Sequence, residues 1–125
     1  MEFENKFVSA PTDINKPFRF EGLHYKRWKQ KLFFYLTTQK LAFYCSSVKP
    51  AAVNPPTDQN HQEIQKWTDD DFLCKNYILN ALCDDLYDYY STFDTAKDVW
   101  DALQKKYDTE EARSKKYVVS RYLVG

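Results

Sequence analysis

TAKDVWDALQKKY, residues 95–107, is the stretch whose reading decides the fold. At 3.6 residues per turn, Ala96, Val99, Trp100, Leu103 and Tyr107 fall on one face. Asp94 or Thr95 is placed to cap the helix, and Asp98 stands three residues after Thr95 in a capping-box-like arrangement. Lys105 and Lys106 fall where the helix is expected to end, and a cation there complements the dipole. The result is an amphipathic helix that carries a tryptophan where leucine would suffice. Trp100 therefore reads as a large core side chain, and the helix needs a substantial body to lie on.

Upstream segments supply that body. Tyr25, Trp28, Leu32, Tyr35 and Leu36 make a helical stripe between about His24 and Lys40. Phe33 and Phe34 widen its apolar arc beyond one stripe, which marks the helix for burial on two sides or for a contact surface. Lys26, Arg27, Lys29 and Lys31 fall mostly on other faces. Residues 41–45 add a short turn, and the proline-rich 49–60 has no periodicity and reads as an exposed loop. Between 61 and 83, Ile64, Trp67, Cys74, Ile78 and Leu82 recur at helical spacing. Thr68 with Asp71 resembles another cap, so this helix is expected either as one or as two, with the Asp69–Asp71 run at a helix start. Residues 84–90 predict a short helix, and 110–123 a last one carrying Ala112, Val119, Tyr122 and Leu123. Residues 1–17, broken by Pro11 and Pro17, predict a flexible arm ahead of a single helical domain over 18–125.

The totals agree with an all-α reading. A chain of 125 residues fits one domain with a real core. Only Gly22 and Gly125 are glycines, so hairpin turns are scarce and no glycine-rich phosphate loop can be built. The expected architecture is a compact bundle of five or six helices. Its predicted core is Tyr25, Trp28, Leu32, Trp67, Ile78, Leu82, Val99, Trp100, Leu103 and Tyr107.

Chemistry is not expected. His24 and His61 are the two histidines, and neither is placed beside a nucleophile. Cys45, Cys74 and Cys83 have no metal-ligand spacing. Cys74 and Cys83, nine residues apart on one helix, would stand about 13 Å apart along its axis, too far to bridge. Three successive aspartates splay by about 100° each and cannot converge on one cation. No catalytic, metal or cofactor residue is assigned. Unpaired cysteines and the lack of a leader or a bilayer-length apolar run predict the cytoplasm or the nucleus, with no membrane partner.

The net charge is zero but segregated. Residues 1–49 hold nine Lys/Arg against four Asp/Glu, residues 50–101 three against eleven, and residues 102–125 six against three. Such segregation either reflects charged helix faces that are simply solvated or serves to orient copies of the molecule or a partner. Tyr87, Tyr89 and Tyr90 are hard to bury together in a small domain, and tyrosine is enriched at interfaces. They join Phe33 and Phe34 as candidate interface residues. Lys26, Arg27, Lys29 and Lys31 with the basic tail offer a weaker alternative, direct RNA contact.

Phe20, Gly22, Tyr25 and Trp28, then a proline-rich break, Trp67, Ile78, Leu82 and Leu86, and finally TAKDVWDAL with Tyr107 form an ordered series. It resembles the gag polyprotein of copia-type LTR retrotransposons, plant ones especially, over about residues 17–123. His24 stands where the family often has Asn, and Phe43–Tyr44 where an aliphatic–Trp pair is common. The resemblance implies a retroviral-capsid-like amino-terminal domain that self-associates into particle shells. It implies that Tyr25, Trp28, Trp67, Trp100 and Leu103 hold the fold. It also implies that RNA packaging belongs to a zinc knuckle absent from this chain. A host adaptor derived from gag, binding another protein through its aromatic face, is the alternative.

Overall fold

The computed structural model describes residues 19–109. The fold is all-α. Helix α1 spans Tyr25–Thr38, a 3₁₀ turn spans Ala42–Cys45, α2 spans Asp58–Asn80, α3 spans Asp84–Tyr90 and α4 spans Ala96–Leu103. A π-helical turn, Gln104–Asp108, carries α4 onward. The described residues thus hold four α-helices. The expected arm 1–17 and the expected helix 110–123 lie outside the described residues.

α1 buries Tyr25, Trp28, Leu32 and Leu36, one stripe at spacings of three and four. Its end is a complete Schellman closure. The Lys40 amide donates to the Thr37 carbonyl at 3.0 Å and the Leu41 amide to the Leu36 carbonyl at 2.8 Å. Lys40 takes the left-handed conformation, φ 63°, that this closure requires and that glycine usually supplies. Leu41 then turns inward and is buried with Leu36.

α2 is one continuous helix, which corrects the option of a break at Thr68. The Thr68 hydroxyl donates back to the Ile64 carbonyl at 2.8 Å instead of capping forward. The stripe Trp67, Cys74, Ile78 passes through without a change of phase, so nothing favours a break. The helix starts earlier than expected, at a Thr57 cap whose hydroxyl accepts from the Asn60 amide at 3.1 Å. Asn60 is buried because its side chain ties down the proline-rich loop. It donates to the Ala51 carbonyl at 3.0 Å and accepts from the Val53 amide at 3.1 Å. α2 ends at Asn80, so Cys83 is not on it but at the N-cap of α3.

The aspartate run is therefore mid-helix, and its three carboxylates do three jobs. Asp69 accepts from Gln65 at 2.9 Å. Asp70 accepts from Lys66 at 2.6 Å and from the Tyr44 hydroxyl at 3.0 Å. Asp71 is buried and accepts from the Ala96 amide at 2.9 Å. A side chain of α2 thus satisfies an orphan amide at the start of α4. Thr95 caps the same end, accepting from the Asp98 amide at 3.1 Å.

The core centres on a ring cluster that local periodicity does not show. Phe20 is buried between Tyr25, Trp28 and Tyr107, with ring centroids 5.6, 5.0 and 4.8 Å away. Each such pair adds about 0.5–1.5 kcal/mol beyond area burial. The Phe20 backbone pairs with the end of α2, its amide on the Ala81 carbonyl at 2.9 Å and its carbonyl on the Cys83 amide at 3.0 Å. The Trp28 indole N–H donates to the same Ala81 carbonyl at 2.9 Å. All ten residues predicted for the core are buried. Lys105 and Lys106 are not at a helix end: the backbone passes through the π turn and is still helical at Thr109.

Candidate functional site

Polar and nucleophilic groups in the interior serve the fold. Cys74 is fully buried, and its thiol donates to the Leu41 carbonyl at 3.4 Å. A hydrogen bond with Cys45 and burial push that thiol far above its ordinary range, which leaves it unreactive. Burial, aided by the nearby Asp108 carboxylate, raises the Tyr25 hydroxyl in the same way. The histidines are exposed, His24 at the left-handed residue before α1 and His61 in the first turn of α2. No cluster of metal-ligating side chains occurs among the described residues.

The surface is where large side chains are left over. Phe34 on α1 is 64% exposed and Tyr89 on α3 is 62% exposed. Phe33 is partly covered, its ring 6.0 Å from that of Trp100. Tyr87 is half-buried against the core. Tyr90 corrects its placement among the contact residues: it is 3% exposed. It lies one turn after Leu86 on the inner face of α3, and its ring meets Phe93 at 5.2 Å. Phe43 and Phe72 were not singled out as contact residues, yet both are exposed. Phe72 lies next to the buried Asp71 on α2, and adjacent helix positions face about 100° apart, so it points away from the core.

Charge divides between two of these surfaces. α1 carries Lys26, Arg27, Lys29 and Lys31 and no acid. Lys29 is held inward, its ammonium 5.8 Å from the Tyr25 ring centre, 6.0 Å from that of Trp100 and 3.1 Å from the Gln104 side-chain oxygen. Arg27 and Lys31 face solvent. Tyr25 and Trp28 are buried, so neither offers a stacking face beside these cations. α3 carries exposed Asp84, Asp85 and Asp88, and no Lys or Arg occurs between residues 84 and 94. Arg19 approaches Asp84 at 4.0 Å, an exposed pair worth little.

Beside α3 lies an open cleft of about 420 Å³. Tyr89, Tyr90 and Phe93 form one wall, and Ala102, Lys105, Lys106 and Thr109 the other. The second wall comes from α4 and its π turn, a local irregularity of the kind that often accompanies function. The arrangement sets three aromatic rings on one side against Lys105 and Lys106, the charged residues of the lining, on the other.

No helix among the described residues is long and apolar enough to cross a membrane. No curated protein and no solved structure matches the chain. A family of gag polypeptides of LTR copia type matches residues 32–124, from the middle of α1 onward. With that span, more than half of the chain, and with the helical body around Trp67, Trp100 and Tyr107, the chain belongs to the copia-type LTR gag family.

Proposed function

We propose that this chain is a shell-building segment of a copia-type gag protein, which associates with copies of itself through protein–protein contacts. Family membership over residues 32–124 carries the reading. The surface is consistent with it. A domain that assembles needs a rigid body and sticky, charge-ordered faces, and exposed Phe34 and Tyr89 stand on faces of opposite sign. Its role is structural, and RNA packaging falls to a zinc knuckle elsewhere in a longer gag chain.

Sedimentation velocity over an about hundredfold range of concentration, at low and moderate salt, tests this by mass action. Concentration-dependent association, or discrete rings and shells, is the expected result. A strict monomer that binds an unrelated protein would favour the adaptor reading instead.

A further inference from the structure

We propose that the outward face of α1 on one copy lies along the outward face of α3 on a second copy, with Arg27 and Lys31 paired to Asp85 and Asp88. The inference rests on the self-association reading and names the two faces that carry it. Tyr25, Trp28, Leu32 and Leu36 turn α1 to its own core, which leaves Arg27, Lys31 and Phe34 on the opposite side, all exposed. Leu86 and Tyr90 turn α3 inward in the same way and leave Asp85, Asp88 and Tyr89 outside. Among the described residues no ion pair engages Arg27, Lys31, Asp85 or Asp88. α1 has no acid for its cations, and residues 84–94 have no Lys or Arg for their acids. Each face points away from its own body, so the two meet only between copies.

Spacing matches as well as charge. Arg27 and Lys31 are four residues apart, about 6 Å along the axis, and Asp85 and Asp88 three apart, about 4.5 Å. In both helices an exposed ring follows the charges, Phe34 after Lys31 and Tyr89 after Asp88. A parallel arrangement therefore sets both cations against acids and brings Phe34 to the same end as Tyr89. The antiparallel one pairs the same charges but carries Phe34 past Asp85 to the exposed Asp84, where it desolvates a carboxylate, and this is disfavoured. A contact of a few side chains per copy is smaller than a stable pair of proteins needs, so a single pair is weak and repetition in an assembly supplies the avidity. The two faces differ, so the contact is heterologous, and copies add until a ring closes or a filament grows. RNA is the rival occupant of α1, but the net charge of the chain is zero, which gives a phosphate chain no wider attraction.

Carbodiimide cross-linking of an equal mixture of plain and isotope-labelled full chain tests the contact, because it joins a lysine to a carboxylate already within ion-pair reach. Mixed-isotope peptides that join Lys31 of one copy to Asp85 or Asp88 of the other are expected. Lys31 joined between copies only to other carboxylates overturns the proposal. Sedimentation velocity then reads the charges, with circular dichroism as a check on folding. Arg27→Glu with Lys31→Glu, or Asp85→Lys with Asp88→Lys, is expected to weaken self-association at least about tenfold. An equimolar mixture of the two reversed variants is expected to regain it, since each presents the complement of the other on both faces. Variants that associate as wild type does, or a mixture that stays dissociated, overturn the contact and leave self-association to other faces. A wild type that never associates removes both readings. Poly-uridine binding that the Arg27→Glu, Lys31→Glu variant loses while its self-association stays intact assigns α1 to nucleic acid and overturns the proposal. If a reversed variant fails to fold, the milder Lys31→Gln and Asp88→Asn decide the matter by the same loss of association.

Discussion

Asp71 is the residue at which the fold is most open to a decisive test. Its carboxylate oxygen lies 2.9 Å from the Ala96 amide, and Ala96 is fully buried, so that N–H has no route to water. Removing the acceptor by Asp71→Ala leaves a buried donor unsatisfied, which costs about 1–3 kcal/mol. The same bond is a helix cap, for which losses of about 0.5–2 kcal/mol are usual. These describe one interaction and do not add, so a loss of about 2 kcal/mol is expected, a shift of about 1 M in a urea midpoint. Asp71→Asn keeps an acceptor oxygen and removes the charge. Burial raises the Asp71 carboxyl above its ordinary range, the Ala96 bond opposing it. For a group so raised, stability is fully present below the unfolded value and is lost as pH rises through the folded value. Asp71→Asn is therefore expected to match or exceed wild type at neutral pH, and wild type to gain on it as pH falls through the window just above ordinary carboxylate titration. Urea unfolding followed by tryptophan fluorescence at neutral and acidic pH reads both effects. An Asp71→Ala midpoint within error of wild type, or an Asn variant as damaged as the Ala variant, refutes the reasoning.

Trp100→Ala removes a buried indole beneath Phe33 and is expected to cost about 3–5 kcal/mol, lowering the melting temperature by about 15 °C; no change in melting would end its assignment to the core. Lys40→Gly relieves a left-handed side-chain residue at the end of α1 and is expected to gain about 0.5–1 kcal/mol, read as a higher urea midpoint, whereas a loss would mean that the Schellman closure is unstrained. Tyr25→Phe deletes a buried hydroxyl that has no hydrogen-bond partner among the described residues, so thermal stability is expected to hold or rise by about 1 kcal/mol; a clear drop would reveal a partner beyond residues 19–109.

Elements with a local cause were legible in the sequence. α4 could be read because its cap, Thr95, and its stripe from Ala96 to Tyr107 lie within one short stretch. The stripe of α1 was as plain for Tyr25, Trp28, Leu32 and Leu36. What failed was long-range. Thr68 and Asp71 imitate a capping box, but the Asp71 side chain spends its acceptor on another helix, 25 residues away. Phe20 carried no periodic signal because its burial depends on pairing with residues 81–83. Among the tyrosines, composition suggested a shared surface, whereas the one-turn spacing from Leu86 singles out Tyr90 as the inward one. The cleft was not legible at all, since its walls come from α3 and from a π turn that no hydrophobic pattern announces.

The Ala81 carbonyl, shared by the Phe20 amide and the Trp28 indole, also sets an order of events during synthesis. The first helix leaves the ribosome long before its docking point exists. Until residue 81 emerges, Trp28 has no acceptor there, and until residue 107 emerges, the ring of Phe20 lacks Tyr107. The amino-terminal aromatics therefore stay exposed until most of the described helices have been made, and the loop they close is among the longest these residues offer, which slows closure. A nascent chain stalled before α4 would carry these rings uncovered, available to chaperones or to neighbouring copies on the same messenger.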